Sequence, residues 1–475
     1  MDSPRWRKLA VAFLLLAYFL YFNWDSLQVH FSSDELFAMW TYWHDPGRLL
    51  LAQIKLWEFY FRPMAGIFYV PIYLAFGLDP LPYHVVFLLL HMVGAYLVYR
   101  FGRVLGAGEL ASGIAALIAC YHAGLNHQYF DTVFVGDCLC GLFYLSAFIC
   151  YARIRSASVV PNTWQTAAVL GLYVGALNSK ETSATFPAVL LAYECVYYGA
   201  PRLPWRKLAG WIRGPGRVVF FAGLLNLLYV YSRAISPNAL SRNPAYRMVF
   251  SRARILDFQI KSLGDLLLTY NVFDWRWVLG IWAVLTYLAF RRRRAVLRFC
   301  WLYMLLSPLT IEFVDDRHGP YLYTILAGWA VFTSVVTEDL IRAAAAFLAG
   351  EPGFRRLGRS GTAALLVVSG VYLWGRQNHR LKELLLRPEM ENLSPQTFDA
   401  IEQLRQMHPR VQPGSQVVFL DDPFHNFDMA FIAELTFRDR SVTVRLNQAT
   451  PLSPQEIAKA DSVFTFEAGR LIRVR

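Results

Sequence analysis

Two adjacent carboxylates, Asp34 and Glu35, stand in the stretch HFSSDELFAMW, about ten residues past an apolar run at 9–24. Charged residues then recur in short packets: Arg62 in FYFRPM, His122, His127 and Asp131 in YHAGLNHQYFD, Lys180 and Glu181 in NSKETS, and Asp315, Asp316, Arg317 and His318 ahead of Tyr321. A carboxylate can take a proton from a hydroxyl while Arg or Lys steadies a departing phosphate, so this set of residue types suits transfer from a phosphate-linked donor. That chemistry requires the separate packets to meet on one face. The apolar runs between them decide whether they do.

Of 475 residues, 56% are hydrophobic, 16% aromatic and 17% charged. Soluble domains average about 45–50% apolar and about 25% charged. The apolar residues fall in runs of about 15–20, the length that crosses about 30 Å of hydrocarbon. A polytopic helical membrane protein is expected. The 46 Lys+Arg against 34 Asp+Glu give +12, yet much of this charge lies in short loops between apolar runs, which argues for membrane topology rather than nucleic-acid binding.

Spans are expected near 9–24, 83–101, 109–126, 134–152, 164–178, 182–199, 218–235, 272–290, 299–312, 320–337 and 361–376. The basic start MDSPRWRK, with no small-residue cleavage site after the first run, reads as a retained signal anchor with a cytoplasmic amino end. Basic clusters at Arg100 and Arg103, Arg153 and Arg155, Arg202 to Arg217, Arg291 to Arg294, and Arg355 to Arg359 then alternate as eleven spans require, with the tail outside. Residues 63–78 are apolar enough to span, but spanning would turn Arg100 and Arg103 outward, so a re-entrant or juxtamembrane element is expected within a first outer loop of 25–82. The segment 233–261 is unusually basic for an outer loop and is placed there against anionic lipid, because the opposite choice would turn the RRRR run outward.

The expected fold class is therefore mainly α: a transmembrane bundle over 1–376, followed by a small soluble α/β domain over 377–475 on the outer side. The latter rests on an amphipathic helix in SPQTFDAIEQLRQMH, a helix near 424–438, strands in QVVFL, SVTVRL, SVFTF and RLIRV, and turns at Pro409, Pro413 and Gly414. Nothing in it marks chemistry. The six cysteines lie in apolar spans as small hydrophobes, and no paired CxxC points to zinc. Asn392-Leu393-Ser394 is a glycosylation sequon of low specificity.

Each candidate also has an ordinary structural role open to it. Ser32, Ser33 and Asp34 can cap the helix that ELFAMWTYW begins. Glu35 can orient the base or acceptor, or face solvent. Arg62 can snorkel to the interface. Lys180 and Glu181 can pair and end a helix, Arg317 can pair with Asp315 or Asp316, and His91 can be a bundle histidine. His122 and His127 are spaced poorly for one helical face, so no metal is expected of them.

Taken in order, these residues resemble the C-type (GT-C) membrane glycosyltransferase superfamily, and within it the protein O-mannosyltransferase-like branch. The resemblance rests on Asp34-Glu35; on FYFRPMAGIFYVPIYLAFGLDPLPYHVVFLLLH, from Arg62 to His91; on His122; on SKETSATFPAVLLAYE around Lys180-Glu181; and on DDRHGPYLY around Arg317 and Tyr321. It covers about residues 1–340. Where the branch has an HP.HTE-like run this chain has YHAGLNHQYFD, and His318-Gly319-Pro320 interrupts its Arg-Tyr-Leu-Tyr run.

The resemblance implies an inverting transferase with Asp34 and Glu35 as the catalytic pair, Asp34 being the general base. Substrate binding would fall to Arg62, His122, Lys180, Glu181, Arg317 and Tyr321. It implies a polyprenyl-phosphate sugar as donor, a lipid, glycan or protein as acceptor, and no nucleic acid; some relatives use a divalent ion. Compact loops suggest a bacterial inner membrane with the site facing the periplasm. The competing expectation is a lipid-linked sugar flippase or transporter, which needs the cations but no base. A membrane scaffold acting through its C-terminal domain is a third.

Overall fold

The structure is a computed structural model that describes residues 5–157, 160–199, 205–235, 242–270, 272–351, 353–392, 395–407, 411–424 and 427–475. Arg202, Pro409 and the sequon residues Leu393 and Ser394 lie outside the described residues.

Caps and prolines set where the first helices begin. After α1 (Arg5–Asn23) and a 3-10 turn, α2 (Ser33–His44) opens on a capping box between Ser32 and Glu35. Asp45 caps α3 (Pro46–Ala52), and α4 (Pro63–Phe76) and α5 (Pro80–Val104) both start on proline, whose missing N–H costs nothing there. The remaining helices of the bundle are α6 (Glu109–Cys120), α7 (Val135–Ser156), α8 (Thr163–Ser179), α9 (Phe186–Tyr198), α10 (Trp205–Arg213), α11 (Arg217–Ile235), α12 (Arg252–Leu267), α13 (Trp275–Arg291), α14 (Ala295–Leu306), α15 (Tyr323–Leu348) and α16 (Gly358–Leu381). α5 packs on α6 and α7, α7 on α8, and α15 on α6 and α14, around a core that includes Phe101, Phe148, Phe299 and Tyr303.

Every run expected to span holds a helix. Among the described residues, Pro80–Val104, Thr132–Ser156, Arg217–Ile235 and Gly319–Leu348 are long and apolar enough to cross a membrane. α6, α9 and α14 have 12, 13 and 12 residues, fewer than the roughly 20 a full crossing takes. α4 has 14 residues, about 21 Å at about 1.5 Å per residue, and buries Phe68, Tyr69 and Tyr73 among α2, α7 and α8.

The second half of the basic segment 233–261 is helical. It enters α12, where Ser251 caps the helix through Arg254 N at 3.1 Å and Phe258, Leu263 and Leu266 turn inward. Alternating charged and apolar residues hid this helix, because neither an apolar run nor a turn cluster marks it. Described parts of the segment meet residues 25–82 and the chain before Arg317: Arg233 Nη2 donates to Tyr60 O at 3.1 Å, and Val249 N donates to Phe313 O at 2.8 Å.

After α16, a π-helical turn (Lys382–Leu386) and α17 (Arg387–Asn392) lead into the α/β domain. It consists of α18 (Pro395–Met407), β1 (Gln416–Phe419), α19 (Asp428–Phe437), β2 (Thr443–Leu446), α20 (Pro454–Lys459), β3 (Ser462–Glu467) and β4 (Arg470–Arg473). The sheet order is β2-β1-β3-β4, with β1 parallel to β2 and β3, and β3 antiparallel to β4. Ala468 and Gly469, both at positive φ, make the two-residue β3–β4 turn. The domain is not a detached appendage. Ile401, Leu404, Phe419, Met429 and Ile432 share one hydrophobic core with Phe31, Leu36, Met39 and Trp43 of the first outer loop and with Tyr69 and Tyr73 of α4.

Candidate active site

The two acidic neighbours at the start of α2 have different environments. Glu35 is fully buried. Its Oε2 accepts from Ser32 N at 2.6 Å, and its Oε1 accepts from Thr132 N at 2.8 Å and from Thr132 Oγ1. Tyr69 OH closes on the same hydroxyl at 3.1 Å. Burial pushes the Glu35 carboxyl up and these hydrogen bonds oppose it. Both oxygens are thus committed to clasping α2 against the segment that leads into α7. Glu35→Ala leaves the Ser32 and Thr132 backbone N–H groups unmatched and removes the capping box, so we expect a loss of about 3 kcal/mol. Glu35→Gln keeps an acceptor and should lose only about 1 kcal/mol. Denaturant melts of the detergent-solubilised proteins check both; a Glu35→Ala protein as stable as wild type would refute the clasp.

Asp34, one residue earlier, is exposed at the open end of the helix. Partial enclosure by protein, and then the Asp428 carboxylate, raise its carboxyl above the ordinary aspartate range. Asp131 is nearby, with Oδ1 accepting from Val133 N at 3.0 Å; its carboxyl is raised first by burial and then by Glu35.

The cations gather around Tyr321 and Tyr246. Arg62 occupies the N-cap of α4 at φ +40°, an uncommon conformation for a residue with a Cβ, pinned by Tyr42 OH donating to Phe61 O at 3.0 Å and Arg62 O at 3.1 Å. Its Nη2 and Nε donate to Glu181 Oε2 at 3.0 and 3.3 Å. Burial works against the Arg62 charge, but Glu181 more than compensates and holds it above the usual arginine range. Burial likewise pushes Glu181 up, and the Arg62 guanidinium outweighs it and holds the carboxyl below its usual range.

Lys180 is 3% exposed, paired with Asp137 of α7, with Nζ 4.3 Å from the centre of the Tyr321 ring. Desolvation pulls its ammonium down to about 8 although Asp137 opposes the shift. Gly136 makes this approach possible, since a Cβ there would lie 3.1 Å from Ser179 O. Arg317 Nη1 donates to Tyr321 OH at 2.5 Å, and its guanidinium lies 4.6 Å from the Tyr246 ring and 4.8 Å from the Tyr321 ring. The Arg62 guanidinium lies 6.0 Å from the Tyr246 ring. A cavity of about 540 Å³ opens here, lined by Pro244, Asp315, Asp316, Arg317, His318, Pro320 and Tyr321.

The loop carrying Arg317 is strapped to α12. Arg254 Nη1 meets Asp315 at 2.5 Å, and Lys261 Nζ lies 3.8 Å from Asp316. His318 Nδ1 sits 2.7 Å from Asp265, a hydrogen bond that raises the imidazole above its ordinary range. Asp315 and Asp316 therefore have α12 cations as partners, and Arg317 turns to the two tyrosines.

Arg62, Lys180, Glu181, Arg317 and Tyr321 thus come together, and Asp34 and Glu35 are joined to them through the segment Asp131–Asp137. His122 stands apart. It is buried, its Nδ1 accepts from Gly124 N at 3.2 Å, and its ring packs on Trp374 of α16 at 5.2 Å. His127 pairs with Glu389 of α17 at 3.1 Å. His91 sits in the bundle between Phe87, Tyr129 and Tyr323. Lys180 and Glu181 do not pair with each other, because successive residues leave the end of α8 in different directions. Asp137 and Tyr246 escaped the sequence reading. Asp137 carried a usable signal, a carboxylate inside an apolar run; Tyr246 carried none. Among the described residues, no three His, Cys, Asp or Glu side chains gather as metal ligands.

No family model matches this chain, and no curated protein does. Among solved structures it is similar to the oligosaccharyltransferase of Archaeoglobus fulgidus in its apo form, with a TM-score of 0.53 at 11% identity. The match covers 94% of this chain and 65% of that one, so the chain spans about two thirds of the length of its structural neighbour. At this identity the likeness is one of fold alone, and it does not reach the O-mannosyltransferase-like branch.

Proposed function

We propose that this protein is a membrane glycosyltransferase that moves a sugar from a polyprenyl-phosphate donor to an acceptor hydroxyl on the outer face of the membrane. The observation that carries this reading is the convergence of Arg62, Lys180 and Arg317, from three separate loops, around Tyr321 and Tyr246. Cations on an aromatic floor beside a cavity suit a phosphate with a sugar attached. The GT-C-like fold agrees with the assignment.

In the proposed reaction Asp34 takes the proton of the acceptor hydroxyl as its oxygen bonds to the anomeric carbon. The bond from that carbon to the phosphate oxygen breaks, polyprenyl phosphate leaves with the electron pair, and the configuration inverts. Arg62, Lys180 and Arg317 stabilise the charge on the leaving phosphate. Glu35 holds the helix that presents Asp34. We place the chain in a bacterial inner membrane with eleven spans and the site toward the periplasm; the alternation of basic loops supports the sidedness, and the compact loops the bacterial membrane. The sugar is a hexose or pentose, and the acceptor is a lipid, glycan or protein.

Mass spectrometry of lipid, glycan and envelope-protein fractions from cells with and without the gene tests the assignment. One sugar should be lost from one of these classes; indistinguishable profiles would overturn it.

A further inference from the structure

We propose that Asp428, in the C-terminal α/β domain, is a positioning residue for Asp34, fixing the first turn of α2 through Ser33 so that the domain sets the pose of the base. This rests on the role proposed for Asp34. α2 and α19 lie side by side and run in the same direction. Ser33 Oγ donates to Asp428 Oδ1, Phe37 and Trp40 meet Phe431 with ring centres 5.4 and 5.1 Å apart, and Trp40 Nε1 donates to Glu434 Oε2 at 2.5 Å. Positions 33, 37 and 40 of one helix and 428, 431 and 434 of the other are single stripes at helical spacing.

The parallel alignment brings two helix N-termini together, each with an acid in its first turn, Asp34 and Asp428. Each N-terminus favours negative charge, which lets two carboxylates stay close. Asp428 is 7% exposed and hydrogen-bonds the residue next to Asp34. Further along, Tyr73 OH donates to Leu435 O at 2.6 Å, and Arg440 lies 4.9 Å from the Trp43 ring, so the domain cannot shift without moving α2. An N-terminal residue that only started α19 would not need to reach Ser33.

Among the described residues, the charged groups on the elements packed around the first turn of α2 are Asp428 and Glu434 of α19, Asp131 before α7, Arg62 of α4 in its pair with Glu181, and Glu35 of α2 itself. After partial enclosure, Asp428 is the group that raises the Asp34 carboxyl. Neutralising it lets Asp34 ionise at lower pH.

The test uses the full-length protein in detergent. Asp34 is coupled to an amine with a water-soluble carbodiimide across a pH series and quantified by peptide mass spectrometry, in wild type, Asp428→Asn and Ser33→Ala. In Asp428→Asn the midpoint of Asp34 labelling should move to lower pH. In Ser33→Ala the midpoint should stay, while labelling at fixed pH rises about threefold as the first turn loosens. A wild-type midpoint in Asp428→Asn, or a wild-type rate in Ser33→Ala, overturns the proposal. If Asp428→Asn fails to fold, the Ser33→Ala rate decides alone. Because labelling needs no turnover, these results stand apart from whether the protein transfers sugar at all. Should Asp34→Asn leave cellular glycans unchanged, the base role of Asp34 fails, and the labelling still reports on the clamp.

Discussion

Asp34→Asn should lower sugar transfer by about 10²–10⁴-fold, the range over which a positioned general base contributes, while leaving the protein folded. The second half follows from exposure: Asp34 lies at the open end of α2 and its carboxylate is not part of the capping box, which Ser32 and Glu35 make. Asparagine has nearly the same shape, and the lost charge at the helix N-terminus costs only about 0.3–1 kcal/mol. The pH dependence has a definite sign. Only ionised Asp34 accepts a proton, and its carboxyl is raised above the ordinary aspartate range by enclosure and by Asp428. Activity should therefore fall on the acid side through a midpoint above that of an ordinary aspartate, and Asp34→Asn should lose this limb. Transfer measured on detergent-solubilised protein from pH 4 to 8 checks both statements. An Asp34→Asn protein with full transfer would remove the base from the mechanism. Transport without chemistry needs the phosphate-binding cations alone, so a wild-type protein that transfers no sugar in this assay would favour a flippase.

The helical bundle was legible because membrane spans are written in long apolar runs, and the α/β domain because its strands and helices have separate periods and turn residues. Partners across the chain were not. Arg62 was visible as a cation before a proline, but nothing local says that its counter-ion is Glu181 or that Lys180 turns to Asp137. Those pairings depend on how α4, α7 and α8 pack, and the chain separations are 119 and 43 residues. Glu35 shows the same limit in another form. A Ser followed three residues later by Glu is a readable capping box, yet the same carboxylate also reaches Thr132, and only the fold reveals this second use. The C-terminal domain misled most. Its sequence holds no chemical motif, and its connection to Asp34 is a surface match between two helices nearly 400 residues apart in the chain.

Arg62→Ala should raise the KM for the polyprenyl-phosphate donor and cut kcat/KM by about 10²-fold or more, and it should also destabilise the protein by about 1–3 kcal/mol. The two effects have different origins. Catalysis loses a guanidinium on the leaving phosphate; stability suffers because Glu181 is left largely enclosed without its cation, the side chains of the pair being only 15% and 23% exposed. Replacing both members, Arg62→Ala with Glu181→Gln, should recover most of the stability and none of the activity. The pH dependence separates them further. In wild type Arg62 outweighs burial and holds the Glu181 carboxyl below its usual range, so the pair stabilises the fold above the unfolded carboxyl range and this contribution fades as pH falls through the folded value. Without Arg62, burial acts with less opposition and raises the carboxyl, so ionised Glu181 becomes a cost that grows as pH rises. The stability gap between wild type and Arg62→Ala should therefore widen from acid to neutral pH and close again in the double variant. Melting temperatures at pH 4 and pH 7 read this out directly; equal gaps at the two pH values would mean that Arg62 serves the fold by packing rather than by pairing with Glu181.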